Sequence, residues 1–166
     1  MFQRVVKTRV IWNRAEEAEK RKDAKVAREW ELALPSELTA EQRKDLACTF
    51  ARMLVDRYGV VADVCIHEPS CMSDQRNHHA HILTTTRTYA DGILGEKTRI
   101  LDSPKTSGKE VEYMRQAWAN FVNRALECLR EQTSGRTRKA ENCNPRSRGY
   151  PCQDTRKNVG PESARR

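Results

Sequence analysis

At 166 residues the chain is long enough for one domain with a real core and too short for two comfortable ones. Hydrophobic residues make up 37% and charged residues 33%, and 31 Lys/Arg against 23 Asp/Glu give a net charge of +8, a balance that favours an anionic partner, nucleic acid before others. There is no apolar run of about 18 residues, no secretory h-region at the N-terminus and no CxxC pair among the six cysteines, so the expectation is a chain without a membrane span, a signal, a disulfide framework or a Cys-rich zinc ribbon, at work in the reducing cytoplasm.

In chain order, the stretch from Val10 to Ala27 is rich in helix formers and carries a Glu16–Lys20 pair in the favourable i,i+4 order; it predicts a charged helix with few apolar anchors. "REWELALP" alternates, with Trp30, Leu32 and Leu34 on one side and Glu29, Glu31 and Ala33 on the other, which predicts a strand closed by Pro35. A helix follows. Thr39 with Gln42 three residues on has the form of a capping box, Leu46, Phe50, Met53, Leu54 and Tyr58 recur at helical spacing, and Gly59 is a stop. Val60 to Pro69 reads as a second strand, "SCMSDQRN" as a hairpin loop, and His78 to Arg87 as a third strand antiparallel to the second. "TYADGILGEKTRILDSPKTSG" reads as loop, with Asp91-Gly92 and Ser103-Pro104 as turn signals. The last helix spans Lys109 to Gln132, its apolar face made by Val111, Met114, Trp118, Phe121, Val122, Ala125 and Leu129. The remainder carries nine Lys/Arg and almost nothing to bury, which predicts a domain over residues 1–130 and a basic, disordered tail over 131–166.

"NHHAHILTTTR" holds three of the four histidines of the chain. In a strand, residues i and i+2 share a face, so His79 and His81 project together and His78 projects away. His67, near the end of the preceding strand, is brought toward them by hairpin pairing. Three neutral imidazoles with open positions describe a catalytic metal site more than a structural one. Nitrogen ligands suit Mn²⁺ or Zn²⁺ better than Mg²⁺, although availability can override preference. A zinc site of Cys65, His67, Cys71 and His79 is an alternative. Glu31 is the candidate carboxylate. It can accept the free N–H of a metal-bound histidine and fix its tautomer, or it can be an exposed strand carboxylate. A metal on a sheet in a basic protein points to phosphoryl chemistry, with water or a tyrosine as nucleophile.

The stretch "VAREWELALPSELTAEQRKDLACTFARMLVDRYGVVADVCIHEP", followed by "NHHAHILTTTR" and later by "AWANFVNRALE", resembles the MobA/MobL family of plasmid relaxases within the HUH endonucleases, from about Ile11 to Glu127. The resemblance implies an α+β fold, an RRM-like antiparallel sheet backed by helices. It implies an enzyme that nicks one strand of a plasmid transfer origin, becomes joined to the 5′ phosphate through a tyrosine and leads that strand into a recipient cell. Single-stranded origin DNA and relaxosome accessory proteins are the implied partners. The family's metal ligands carry over to His67, His79 and His81, and the glutamate of its E-x-A-L-P strand to Glu31. One departure stands out. The family's catalytic tyrosine precedes the "WELALP" strand, whereas the tyrosines here are Tyr58, Tyr89, Tyr113 and Tyr150. The expectation is therefore a domain that lacks the family's N-terminal strand, with an open sheet edge. Tyr113, which follows the histidines as in the replication initiators of the HUH group, is the remote alternative nucleophile. A catalytically inactive DNA-binding remnant and a water-using metal hydrolase are the competing functions.

Overall fold

The computed structural model describes residues 8–69 and 74–134. The alternation of "REWELAL" becomes strand β1 (Ala27–Leu34), and the helix after it becomes α2 (Ala40–Tyr58), preceded by a shorter helix α1 (Thr8–Glu17). Both ends of α2 are fixed by the residues that predict them. The Thr39 hydroxyl accepts from the Gln42 amide at 3.2 Å, and the Gln42 side-chain oxygen accepts from the Thr39 amide at 2.9 Å. Gly59 takes the left-handed conformation (φ 63°) and donates its N–H to the Val55 carbonyl. Strands β2 (Ala62–His67) and β3 (His78–Thr85) form the expected antiparallel hairpin, and α3 (Ser107–Thr133) closes the described chain. That helix runs past residue 130, where the tail was expected to begin; the rest of the tail lies outside the described residues.

The strands form one antiparallel sheet in the order β1-β3-β2. Register assigns the two faces. Trp30, Ile82 and Val64 stand in one row, and Leu32, Ala80 and Ile66 in the next; these face the helices. Leu32, Leu34, Ala80 and Ile82 are buried there against Phe50, Leu54 and Met114, and Trp118, Phe121 and Val122 pack at the margin. Each fully buried aliphatic or aromatic side chain contributes about 1.5–3 kcal/mol of transfer free energy, so this layer supplies the stability the modest composition allows. The offset rows, Glu31–His81–Cys65 and Ala33–His79–His67, face away from the helices. The mixed α/β architecture with an antiparallel sheet backed by helices is the one expected. Among the described strands, β1 and β2 are each paired on one side only.

Two segments differ from the sequence reading. The first helix stops at Glu17 instead of Ala27. Between Ala15 and Val26 the only apolar residues are Ala18 and Ala24, too small to hold a longer helix on the body. Glu19 is instead turned inward, its side chain 8% exposed, where Arg87 Nε (2.9 Å) and Lys97 Nζ (2.7 Å) bind it. With Lys20 beyond the helix, the Glu16–Lys20 pair has no helical geometry to support it. The stretch read as loop is a second, two-stranded sheet, β4 (Arg87–Ala90) with β5 (Ile93–Lys97). Its turn is Asp91-Gly92, both at positive φ (50° and 87°), the two-residue geometry whose twist suits a hairpin. The turn signal was in the sequence; Gly95 and a register irregularity between Arg87 and Tyr89 blurred the alternation around it. Arg28 ties β1 to the turn after β5 through Asp102 (2.6 Å) and the Thr98 carbonyl (3.0 Å). No described helix is long and apolar enough to cross a membrane.

Candidate metal centre

His79 and His81 come from the central strand β3 and His67 from the last position of β2, all on the face away from the helices. Their ring centroids lie 4.8 Å apart for His67–His81 and 5.2 Å for the other two pairs. One ring nitrogen from each can be chosen so that all three lie within 4.8 Å of one another. Two zinc–nitrogen bonds of about 2.1 Å at a tetrahedral angle hold their nitrogens about 3.4 Å apart, so ring rotations that draw the three nitrogens inward would close them on one ion. The chemistry of the donor set fits a divalent ion: three imidazoles, with Glu29, Glu31 and Asp63 as the carboxylates of the same face and no lysine or arginine among that face's strand residues.

Two imidazoles are held by their other nitrogen. His81 Nδ1 lies 2.6 Å from Glu29 Oε1, and His79 Nδ1 lies 3.2 Å from the Asn77 carbonyl oxygen. With Nδ1 protonated and donating in each case, the lone pair sits on Nε2, the tautomer that a metal ligand needs. Glu29 is the residue the sequence reading missed. Glu31, the candidate chosen from sequence, is exposed on the same face, directly across the ladder from His81, while the hydrogen bond from His81 runs diagonally to Glu29. Alternation put both glutamates on one side of β1; which one meets a histidine depends on register and rotamer, and one sequence encodes neither legibly. His78 points the other way, as expected, and its Nδ1 is buried without a hydrogen-bond partner. Cys65 stands on the histidine face opposite His81, whereas Cys71, the other thiol of the alternative zinc set, lies outside the described residues.

None of the described tyrosines stands on this face. Tyr58 closes α2 within the core, and its hydroxyl donates to Glu110 Oε2 at 2.9 Å. Burial first, then the neighbouring Glu110 carboxylate, pushes its pKa up to about 12. Glu110 also takes a two-pronged ion pair from Arg57 (2.9 Å for both bonds), which holds its carboxyl below the ordinary value. Tyr113 lies on α3 with the Arg57 guanidinium 4.2 Å from its ring centroid. It belongs to the helix layer, and the structure does not bring it to the histidines. Tyr89 is on β4, in the separate hairpin, and its hydroxyl is buried without a hydrogen-bond partner. Tyr150 lies outside the described residues.

The chain is 36% identical over 93% of its length to the mobilization protein MobL of Acidithiobacillus ferridurans, covering 46% of that protein. It is 34% identical over 68% of its length to the conjugal transfer protein TraA of Rhizobium radiobacter, covering 10% of it. It is 30% identical over 70% of its length to mobilization protein A of Escherichia coli, covering 18% of it. The chain thus spans less than half of each of these relatives. No solved structure matches it. The MobA/MobL family model matches residues 2–146, a span that takes in both the histidine hairpin and the helix layer behind it, and the chain belongs to the MobA/MobL family.

Proposed function

We propose that this chain is a metal-binding, DNA-binding relaxase domain of plasmid mobilisation. It grips single-stranded DNA at a transfer origin in the cytoplasm and holds one divalent ion, Mn²⁺ or Mg²⁺ and in some settings Zn²⁺, with His67, His79 and His81. The observation that carries this reading is the convergence of three imidazole nitrogens within 4.8 Å on the sheet face opposite the one that packs on α2 and α3. When bound there, such an ion polarises a phosphate oxygen and offsets charge that develops during strand cleavage. The residues of the chain do the rest. His79 and His81 present Nε2 because Asn77 and Glu29 hold their Nδ1 protons, and Glu31 adds negative charge beside the centre. Accessory proteins of a relaxosome are the further partners of this reading.

Cleavage with strand retention also needs a tyrosine in line with the leaving oxygen, and orientation supplies a large part of the rate in such a step. The described tyrosines all stand off the histidine face, which favours a second reading for the chain on its own, a binding module that does not cut. One set of assays tests both. Calorimetry with Mn²⁺ is expected to give about one equivalent on the native chain and a strong loss in His81→Ala, as removal of one of three ligands requires. A labelled origin oligonucleotide with Mn²⁺ is expected to be retained without a protein-linked band on a denaturing gel. Unchanged Mn²⁺ binding in His81→Ala would remove the three-histidine centre. A protein-linked band would show that a tyrosine of this chain reaches the site, and cleavage without such a band would point to water as nucleophile.

A further inference from the structure

The histidine centre has a fourth neighbour able to bind a metal. In the β2–β3 register, His67 faces His79 and Cys65 faces His81, so Cys65, His67, His79 and His81 occupy a two-by-two block on one face of the hairpin. Directly opposed residues of an antiparallel pair have Cβ atoms about 4.5–5.5 Å apart, and residues two apart on a strand share a face. Cys65 is exposed and is not in a disulfide. The ligand atoms that lie within 4.8 Å of one another are the three nitrogens and not the Cys65 sulfur, so the thiol has to turn toward the ion to join them; His67 and His81, the closest ring pair at 4.8 Å, flank Cys65.

Resting on the three-histidine reading above, we propose that Cys65 adds a sulfur ligand when a soft divalent ion, Zn²⁺ above all, enters this centre, and that zinc so bound closes it. The thiol gives up its proton to solvent as the sulfur–metal bond forms, so one proton is released for each bond made. Thiolate selects soft ions, whereas Mn²⁺ and Mg²⁺ favour oxygen and nitrogen and leave the thiol aside. The consequence follows from coordination number. Three imidazoles and one thiolate complete the tetrahedral shell typical of structural zinc, with no position left for a phosphate oxygen. Three imidazoles alone leave a position open. The identity of the ion therefore sets whether the face can engage DNA phosphate, and Cys65 is the residue that makes the distinction.

The test uses the full chain, reduced with a phosphine, and Co²⁺ as a spectroscopic stand-in for zinc. The native chain is expected to show visible cobalt d–d bands together with a near-ultraviolet thiolate-to-cobalt charge-transfer band. Cys65→Ser should lose the charge-transfer band and keep the d–d bands. In parallel, Zn²⁺ affinity should fall at least about tenfold in Cys65→Ser, no less than the loss of an outer-shell contact, while Mn²⁺ affinity moves less than about twofold. Circular dichroism of the variant checks that it is folded. Cobalt d–d bands without charge transfer in the native chain would overturn the role of Cys65 and leave the three-histidine centre standing. A charge-transfer band that survives in Cys65→Ser would assign the sulfur to another cysteine and overturn it equally. Absence of any cobalt spectrum would overturn the three-histidine centre, and this proposal with it.

Discussion

Glu29 and Glu31 stand two residues apart on one face of β1, and the geometry separates them: Glu29 lies 2.6 Å from His81 Nδ1, while Glu31 faces the same histidine across the ladder. A carboxylate on the far nitrogen of a metal-bound imidazole fixes its tautomer and raises its basicity, and its removal costs about 10–100-fold in metal affinity. Glu29→Gln is expected to weaken Mn²⁺ binding by an amount in that range, and Glu31→Gln by clearly less, because its charge acts without holding a ring. Calorimetry on the two variants decides the matter; equal losses would return the positioning role to Glu31 or to both. The contrast also marks the limit of sequence at this scale. The three histidines were legible from spacing alone, since strand alternation and one hairpin bring them together. The carboxylate was legible only as one of a pair.

At the scale of elements, α2 is joined to α3 by a small polar clamp. Arg57 and Tyr58, at the end of α2, both hold Glu110 in the first turn of α3. The folded state raises the Tyr58 pKa from 10.0 to about 12, so it keeps a proton that the unfolded chain gives up. Its contribution is therefore complete below about pH 10 and is lost as the pH climbs through about 12. Urea midpoints should fall in the native chain above about pH 10, and Tyr58→Phe should flatten that fall while costing about 1.5–3 kcal/mol at neutral pH for the lost hydrogen bond to a charged group. A native chain with no alkaline decline would disprove the clamp. Glu110 works in the opposite direction: its lowered pKa gives stability above the ordinary carboxylate range and removes it on acidification. No sequence pattern announces this clamp, because its partners are more than 50 residues apart. The helices that carry it were readable from Thr39, Gln42, Gly59 and their apolar spacing. The β4–β5 hairpin and the early end of α1 were not. Both depend on contacts made across the chain: Arg14 donates to the Gly92 carbonyl, and Arg87 and Lys97 hold Glu19.

For the whole molecule, charge is distributed very unevenly. Residues 135–166 carry six of the eight net positive charges, so the rest of the chain is close to neutral. If single-stranded DNA is the ligand, each phosphate contact contributes about 0.7 to the steepness with which log affinity falls against log salt. Deleting residues 135–166 is expected to flatten that slope while Mn²⁺ binding at the histidine hairpin stays as it was. Fluorescence anisotropy with an oligonucleotide over a range of salt measures it. An unchanged slope would place the phosphate contacts on the folded body, and abolished Mn²⁺ binding would tie those residues to the metal centre itself.

Strand β3 alternates the core residues Ala80 and Ile82 with the candidate metal ligands His79 and His81. Ala80 and Ile82 are completely buried, while His79 and His81 face away from the helices. The two tasks are interleaved in sequence yet independent in energy, so mutation can erase one and spare the other. In metal-free protein His67→Ala, at an exposed position, should change stability by no more than about 0.5 kcal/mol, and His79→Ala and His81→Ala, half-buried and hydrogen-bonded, should each cost about 1 kcal/mol. Chemical denaturation in a chelator would show it. A single residue inserted between Ala80 and His81 should do far worse, since it turns His81 toward the core and Ile82 toward water. Lineages carrying this hairpin can therefore shed the histidines by substitution and keep the scaffold, whereas odd-length insertions within β3 are barred by folding itself.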